Sequence, residues 1–125
     1  MRTLDQFFEK MRDYREYDFI WCSKGYISWR RATGDNLEVT FTEASQQRKG
    51  YGKELFRMMI QKIEKDGTQP FHSVVDWILG ERVGVQKFFE SMGFTLTHLG
   101  DSVYRDDDTV LAVIPYDELK KNLGL

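Results

Sequence analysis

Gln47-Arg48-Lys49-Gly50-Tyr51-Gly52-Lys53 lies between a strand-like segment and a strongly amphipathic one. Two glycines one residue apart let the backbone turn sharply and approach a ligand without Cβ interference, so that several N–H groups point at one anion. A helix starting here adds the positive end of its dipole, and Arg48, Lys49 and Lys53 surround those amides with cationic charge. The combination suits a diphosphate better than a neutral ligand. A dinucleotide fingerprint needs a third glycine where this chain has Leu55, and a mononucleotide phosphate loop needs Ser or Thr where it has Glu54. Both of those motifs fail on residue identity.

Two carboxylates, Glu38 and Glu43, lie on or just after the strand that feeds the loop. A carboxylate is the expected base for an amine, because a lysine-type amine with a pKa of about 10.4 is mostly protonated at pH 7. Each reads equally well as a solvated strand residue, the commonest situation for an exposed carboxylate. Cys22 is the one cysteine, which excludes an internal disulfide and a multi-cysteine zinc site. Beside Trp21 it reads as a small buried hydrophobe. His72 and His98 stand far apart at strand ends without metal-ligand spacing, and Asp106 to Asp108 reads as a solvated turn, so no metal is expected.

The elements that must position these residues are legible from periodicity. Thr3-Leu4-Asp5-Gln6 is a capping box, followed by Leu4, Phe7, Phe8 and Met11 at helical spacing, which predicts a helix to about Tyr14. Phe19 to Arg31 is aromatic and β-branched around Ser23-Lys24-Gly25, the pattern of a hairpin. After a Gly34-Asp35-Asn36 turn, Leu37 to Thr42 alternates as a third strand. Leu55, Phe56, Met59, Ile60 and Ile63 form one apolar stripe on the helix after the loop, closed by Asp66-Gly67 and Pro70. A strand from Phe71 to Ile78 follows. Val85, Phe88, Phe89 and Met92 then mark a second amphipathic helix with Gly93 at its C′ position. Phe94 to Leu99 and Thr109 to Ile114 read as the last strands, and Tyr116 to Asn122 as a short terminal helix. Hairpins mixed with crossover helices predict an α/β (α+β mixed) fold, with a central mixed sheet and helices on both faces.

At 125 residues the chain has room for one domain, 1–125, and no linker or repeat divides it. Its 41% hydrophobic and 14% aromatic content exclude a disordered chain. A formal net charge of −2 does not steer it to nucleic acid or an acidic membrane. A phosphate-contacting patch of Arg48, Lys49, Lys53 and Arg57 is the one feature that speaks for nucleic acid, and overall charge counts against it. Met1 to Lys10 carries no long apolar run, which argues against a signal peptide or membrane helix. With a single cysteine, the expectation is a soluble cytoplasmic protein.

The glycine loop is followed, about forty residues on, by Phe88-Phe89-Glu90-Ser91-Met92-Gly93-Phe94. With these two landmarks the chain resembles the GNAT superfamily of acetyl-coenzyme A dependent N-acyltransferases, from about Leu37 to Ile114. The family motif Gln/Arg-x-x-Gly-x-Gly/Ala maps onto Gln47 through Gly52. The family signature Asn-x-x-Ala-x-x-x-Tyr-x-x-x-Gly-Phe maps onto Arg82, Val85, Phe89 and Gly93-Phe94. The resemblance implies a mostly antiparallel GNAT-like sheet, acetyl-coenzyme A as cosubstrate, and transfer of its acetyl group to a primary amine by direct attack in a ternary complex. It implies a coenzyme site made of Thr42, Ala44, Gln47, Arg48, Lys49, Gly50, Tyr51, Gly52, Lys53, Arg82 and Phe89. The backbone of Thr42 to Ala44 would pair with the pantetheine arm.

Departures from the pattern carry as much weight as the match. Phe89 stands where many members have the tyrosine that protonates the leaving thiolate, and Arg82 stands in place of the family's Asn. Glu43 and Glu38 are the candidate bases, with Glu38 similar in its place on the strand to the base of the protein-lysine acetylating branch. Tyr104, Tyr116 and Ser91 are the hydroxyl candidates for the missing acid. The shortened N-terminal region points to an open acceptor site or one completed in a homodimer. The opposing reading is a degenerate member that binds coenzyme A or a protein partner without turnover.

Overall fold

The computed structural model describes residues 3–12, 17–78, 83–99 and 109–125. In chain order the elements are α1 (Leu4–Met11), β1 (Tyr17–Cys22), β2 (Gly25–Ala32), β3 (Asn36–Ala44), α2 (Tyr51–Lys65), β4 (Ser73–Ile78), α3 (Val83–Ser91), β5 (Thr95–His98), β6 (Val110–Pro115) and α4 (Tyr116–Asn122). The six strands form a mixed α/β sheet in the order β1-β2-β3-β4-β6-β5. The pairs β1–β2, β4–β6 and β5–β6 are antiparallel, and β3–β4 is parallel with Leu37 opposite Val74 and Glu38 opposite Val75. The residues fall into two compact units, Met1–Arg31 with Val39–Thr68, and Ala32–Glu38 with Gln69–Leu125.

In the first unit, α1 starts where its capping box requires. Thr3 accepts from the Gln6 amide through Oγ1 (3.3 Å), and the Thr3 amide donates back to Gln6 Oε1 (2.9 Å). The helix reaches its C-cap at Arg12, earlier than the sequence pattern suggests, and residues 13–16 lie outside the described segments. Its Phe7 is 1% exposed and packs among Phe19, Trp21 and Tyr26, with ring centroids 5.1 to 5.4 Å away. Tyr26 stacks on Trp21 at 4.8 Å and 8°. Every member of the α2 stripe (Leu55, Phe56, Met59, Ile60 and Ile63) is buried, as its spacing requires. On the polar side of α2, Lys62 Nζ reaches Asp18 of β1 at 2.7 Å and Asp66 at 3.0 Å. These bonds hold the Lys62 pKa above its ordinary value, with Asp18 the larger cause. Their contribution is therefore complete below the ordinary lysine range and is lost as pH rises through the raised value.

The β1–β2 turn is tighter than the sequence pattern suggests. Cys22 pairs with Gly25, so the turn is Ser23-Lys24 and Gly25 already belongs to β2. Gly25 has φ +134°, and a Cβ there would meet the Glu43 carbonyl oxygen and the Ala44 Cα. Strand β3 runs on to Ala44 beyond the expected end at Thr42, and the Ser45 amide donates to the Lys24 carbonyl at 2.8 Å.

The second unit buries Leu37, Val74, Ile78, Val110, Ala112 and Ile114 from its strands, with Phe89, Met92, Phe94, Leu119 and Leu123 from its helices and their flanks. Gly93 takes φ +95° at the end of α3, as expected for C′. Asn122 of α4 donates through Nδ2 to the Met92 carbonyl at 3.0 Å, which fastens the last helix to the end of α3.

Two glycine substitutions separate conformational demand from mere composition. Gly25→Ala meets backbone atoms that cannot give way and is expected to destabilise by about 3 kcal/mol or more in urea titration. Gly84→Ala lies in α3 with open space around the added methyl and should instead stabilise by roughly 0.5 kcal/mol.

Candidate functional site

Residues 45–50 connect β3 to α2, and from Gln46 to Gly50 they are exposed. Arg48 has φ +59° and Gly50 has φ +73°, so two left-handed residues alternate with ordinary ones just before a helix. Such alternation is the backbone pattern from which anion-binding nests are built. Gly50 is the N-cap of α2, and no side chain caps the helix there. The amides of its first turn therefore rely on solvent or a ligand. No protein atom lies within 4 Å of a Cβ built on Gly50, so the space beside the N-cap is open. Arg48 and Lys49 are exposed and Lys53 half-buried on the first turn of α2. Glu54 is held by Arg57 at 3.2 Å and approached by Lys24 at 4.0 Å. This arrangement fits a phosphate-bearing ligand on its amides, its charge and its open space.

The strand leading into the loop is tied to β2 by side chains. The Tyr26 hydroxyl donates to Glu43 Oε2 at 2.7 Å from a ring that is fully buried. Thr42 Oγ1 donates to the Tyr26 carbonyl at 3.3 Å, and Ser45 Oγ donates to the Ser23 carbonyl at 2.7 Å. Ser28, also fully buried, has its hydroxyl 2.6 Å from Thr40 Oγ1 and accepts from the Phe41 amide at 3.1 Å. The sequence pattern gave Tyr26 and Ser28 no part in the site, although both lie on β2 opposite the residues that feed the loop.

The remaining candidates are distributed as follows. Thr42, Glu43, Ala44, Gln47, Arg48, Lys49, Gly50, Tyr51, Gly52 and Lys53 all belong to the first unit. Glu38 belongs to the second, beside Val75, five residues up β3 from Glu43. Phe89 is 1% exposed and meets Phe94 edge-on at 4.9 Å, within the core of the second unit. Tyr116 is 3% exposed beside Phe71, and Ser91 Oγ donates to the Phe88 carbonyl at 2.6 Å. Arg82, Tyr104 and the Asp106–Asp108 turn lie outside the described residues.

One carboxyl escaped the sequence pattern altogether. Asp76 sits in β4 opposite Ala112 of β6, and the residue is half-buried between the buried positions Val74 and Ile78. Exclusion from water pushes its pKa well above the usual carboxylate range, and the charge of Glu38 acts in the same direction. Only a hydrogen bond from the Trp77 backbone opposes this. Among the described residues, no cluster of His, Cys, Asp and Glu could hold a metal ion, and no helix is long and apolar enough to cross a membrane.

Two measurements follow from these groups. A carboxyl whose pKa is raised on folding favours the folded state fully below its unfolded pKa, and that advantage is lost as pH rises through the folded value. Asp76→Asn is therefore expected to match the wild type in stability near pH 3 and to exceed it progressively at higher pH, as read by urea titration across pH. At the loop, Arg48→Gly relieves the left-handed strain and should leave stability unchanged or raised by up to about 1 kcal/mol. Arg48→Ala keeps that strain, and both variants should weaken inorganic pyrophosphate binding alike in calorimetry.

Solved structures with this arrangement of elements come from several bacteria. A protein from Desulfovibrio desulfuricans assigned to the GNAT acetyltransferases superposes with a TM-score of 0.65 at 15% identity, over 90% of this chain and 75% of its own. A Bacillus subtilis acetyltransferase in complex with CoA gives a TM-score of 0.62 at 15% identity, over 90% and 84% of the two chains. A Salmonella typhimurium protein assigned as an acetyltransferase, solved with its cofactor acetyl-CoA, gives 0.53 at 25% identity, over 76% and 59%. Comparison with curated protein sequences yields no match. The family model of the acetyltransferase (GNAT) domain matches residues 8–110, a span that takes in the glycine loop, α2 and α3, and the chain belongs to the GNAT acetyltransferase family.

Proposed function

We propose that this protein is an N-acetyltransferase that moves the acetyl group of acetyl-coenzyme A onto a primary amine by direct attack in a ternary complex. The observation that carries this reading is the loop before α2, with its left-handed Arg48 and Gly50, its uncapped first-turn amides and the charges of Arg48, Lys49 and Lys53. The relatives solved with CoA and acetyl-CoA support that ligand over another diphosphate. Here the amides of Gly50 to Lys53 hold the diphosphate, Gln47 and Tyr51 flank it, and the backbone of Thr42 to Ala44 receives the pantetheine arm. Arg82 and Phe89 are the remaining family positions, and Phe89, enclosed in the core of the second unit, has no surface to offer the coenzyme. The whole of 1–125 acts as one domain, in the cytoplasm, without a metal and without a nucleic-acid or membrane partner. The acceptor site is open or shared in a homodimer.

Acetyl-coenzyme A supplies a thioester already activated for attack. The chain must take a proton from the acceptor ammonium, meet the charge that develops on the carbonyl oxygen, and protonate the departing thiolate. Glu43 is the proton acceptor, because it stands at the end of β3 next to the loop and its carboxylate is oriented by Tyr26. Glu38 is the alternative base. A backbone N–H of β3 is suited to the oxyanion. Tyr104 is the proposed acid.

A second reading, binding of coenzyme A or a protein partner without turnover, is favoured by one observation. Phe89 offers no proton at the family's tyrosine position and is enclosed by Phe88 and Phe94.

Calorimetric titration with acetyl-coenzyme A tests the shared premise. One site per chain is expected, with Gly50→Asp abolishing it while the fold persists, because the new carboxylate enters the open space beside the N-cap. No heat up to about 1 mM would remove the catalytic reading and leave only the binding of a protein partner. Thiol release with a panel of primary amines then separates them. Under the first reading Glu43→Gln lowers turnover by roughly 10²-fold or more, mainly below the pH at which the amine deprotonates unaided, and Glu38→Gln does not.

A further inference from the structure

The structure assigns Ser28 as a positioning residue for the pantetheine arm, an inference that rests on the coenzyme reading above. A strand's amide ordinarily donates to a neighbouring strand's carbonyl. At Phe41 of β3 the Ser28 hydroxyl of β2 accepts from the amide at 3.1 Å, with the Phe41 carbonyl 3.5 Å away and Thr40 Oγ1 at 2.6 Å. Ser28 is fully buried, and its hydroxyl meets these partners inside the sheet. A side chain inserted at this point sets the local spacing and twist of the ladder, as a bulge does. The residues immediately following, Thr42 to Ala44, are the ones whose backbone receives the pantetheine. Downstream, Tyr26 on Glu43 and Ser23 and Lys24 on Ser45 fix the strand's exit, but Ser28 acts where the segment begins. Alanine at this position would fill the volume and leave the Phe41 amide without this acceptor, so Thr42 to Ala44 would lose their place while the loop amides of α2 kept theirs.

Hydrogen exchange at saturating acetyl-coenzyme A reads these two places separately. In the wild type, ligand-dependent protection is expected both at Thr42 to Ala44 and at Tyr51 to Lys53. In Ser28→Ala the second should persist and the first fall to the level of the free protein, with affinity weakened about tenfold. Ser28→Thr, which keeps the hydroxyl, should recover both. Unchanged protection at Thr42 to Ala44 with unchanged affinity in Ser28→Ala overturns the assignment. So does a wild type protected only at Tyr51 to Lys53. Absence of protection at both places in the wild type instead removes the coenzyme reading itself. If Ser28→Ala does not fold, Thr40→Val removes the other hydroxyl at a half-buried position and is judged by the same readings.

Discussion

The approach of Gly25 to the end of β3 is the constraint on which the region around the loop depends. A side chain at that position has nowhere to go, because the carbonyl of Glu43 and the Cα of Ala44 occupy the space. The contact decides where β3 ends, brings Ser45 within reach of Lys24 and Ser23, and so decides where the glycine loop begins. The aromatic cluster of Phe7, Trp21 and Tyr26 holds the same strands from the α1 side, and its buried tyrosine carries a hydroxyl to Glu43. Apolar packing and the orientation of a candidate base are thus supplied by one side chain. That coupling explains why a fully buried residue takes part in a polar site.

Most of the fold was legible because each element satisfies a local rule. The capping box of α1, the apolar stripe of α2 and the left-handed glycine after α3 are short-range signals that tertiary packing reinforces. Boundaries shifted where packing overrode local pattern. Gly25 joined β2 although it looked like a turn residue, and β3 ran to Ala44 because its partner strand continues to pair with it. The loop itself was legible for a different reason. Glycine and charge spacing encode the backbone geometry an anion needs, and no distant residue is required to see it.

What the sequence concealed depends on register. Tyr26 meets Glu43, Ser28 meets Phe41 and Lys24 meets Ser45 across β2, its turn and β3. Three residues, Thr33 to Asp35, separate β2 from β3, and the strand pattern does not say which residues of the two strands then face each other. Alternation alone reported only that Tyr26 and Ser28 lie in a strand. Asp76 was hidden more deeply. A carboxylate in a strand between Val75 and Trp77 looks solvated, and only the neighbouring β6, with Ala112 opposite, shows that its surroundings exclude water.

The division of the chain into two units also bears on how it is made. All residues of the first unit have been synthesised once Thr68 is added, whereas the segment Ala32–Glu38 belongs with residues that come later. At typical rates of translation, the six residues from Gln69 to Val74 take roughly 0.3–1.2 s. During that interval Leu37, buried in the finished protein, lacks Val74 as its partner. A nascent chain of this protein therefore carries an apolar strand segment still without its β4 neighbour for about a second at most.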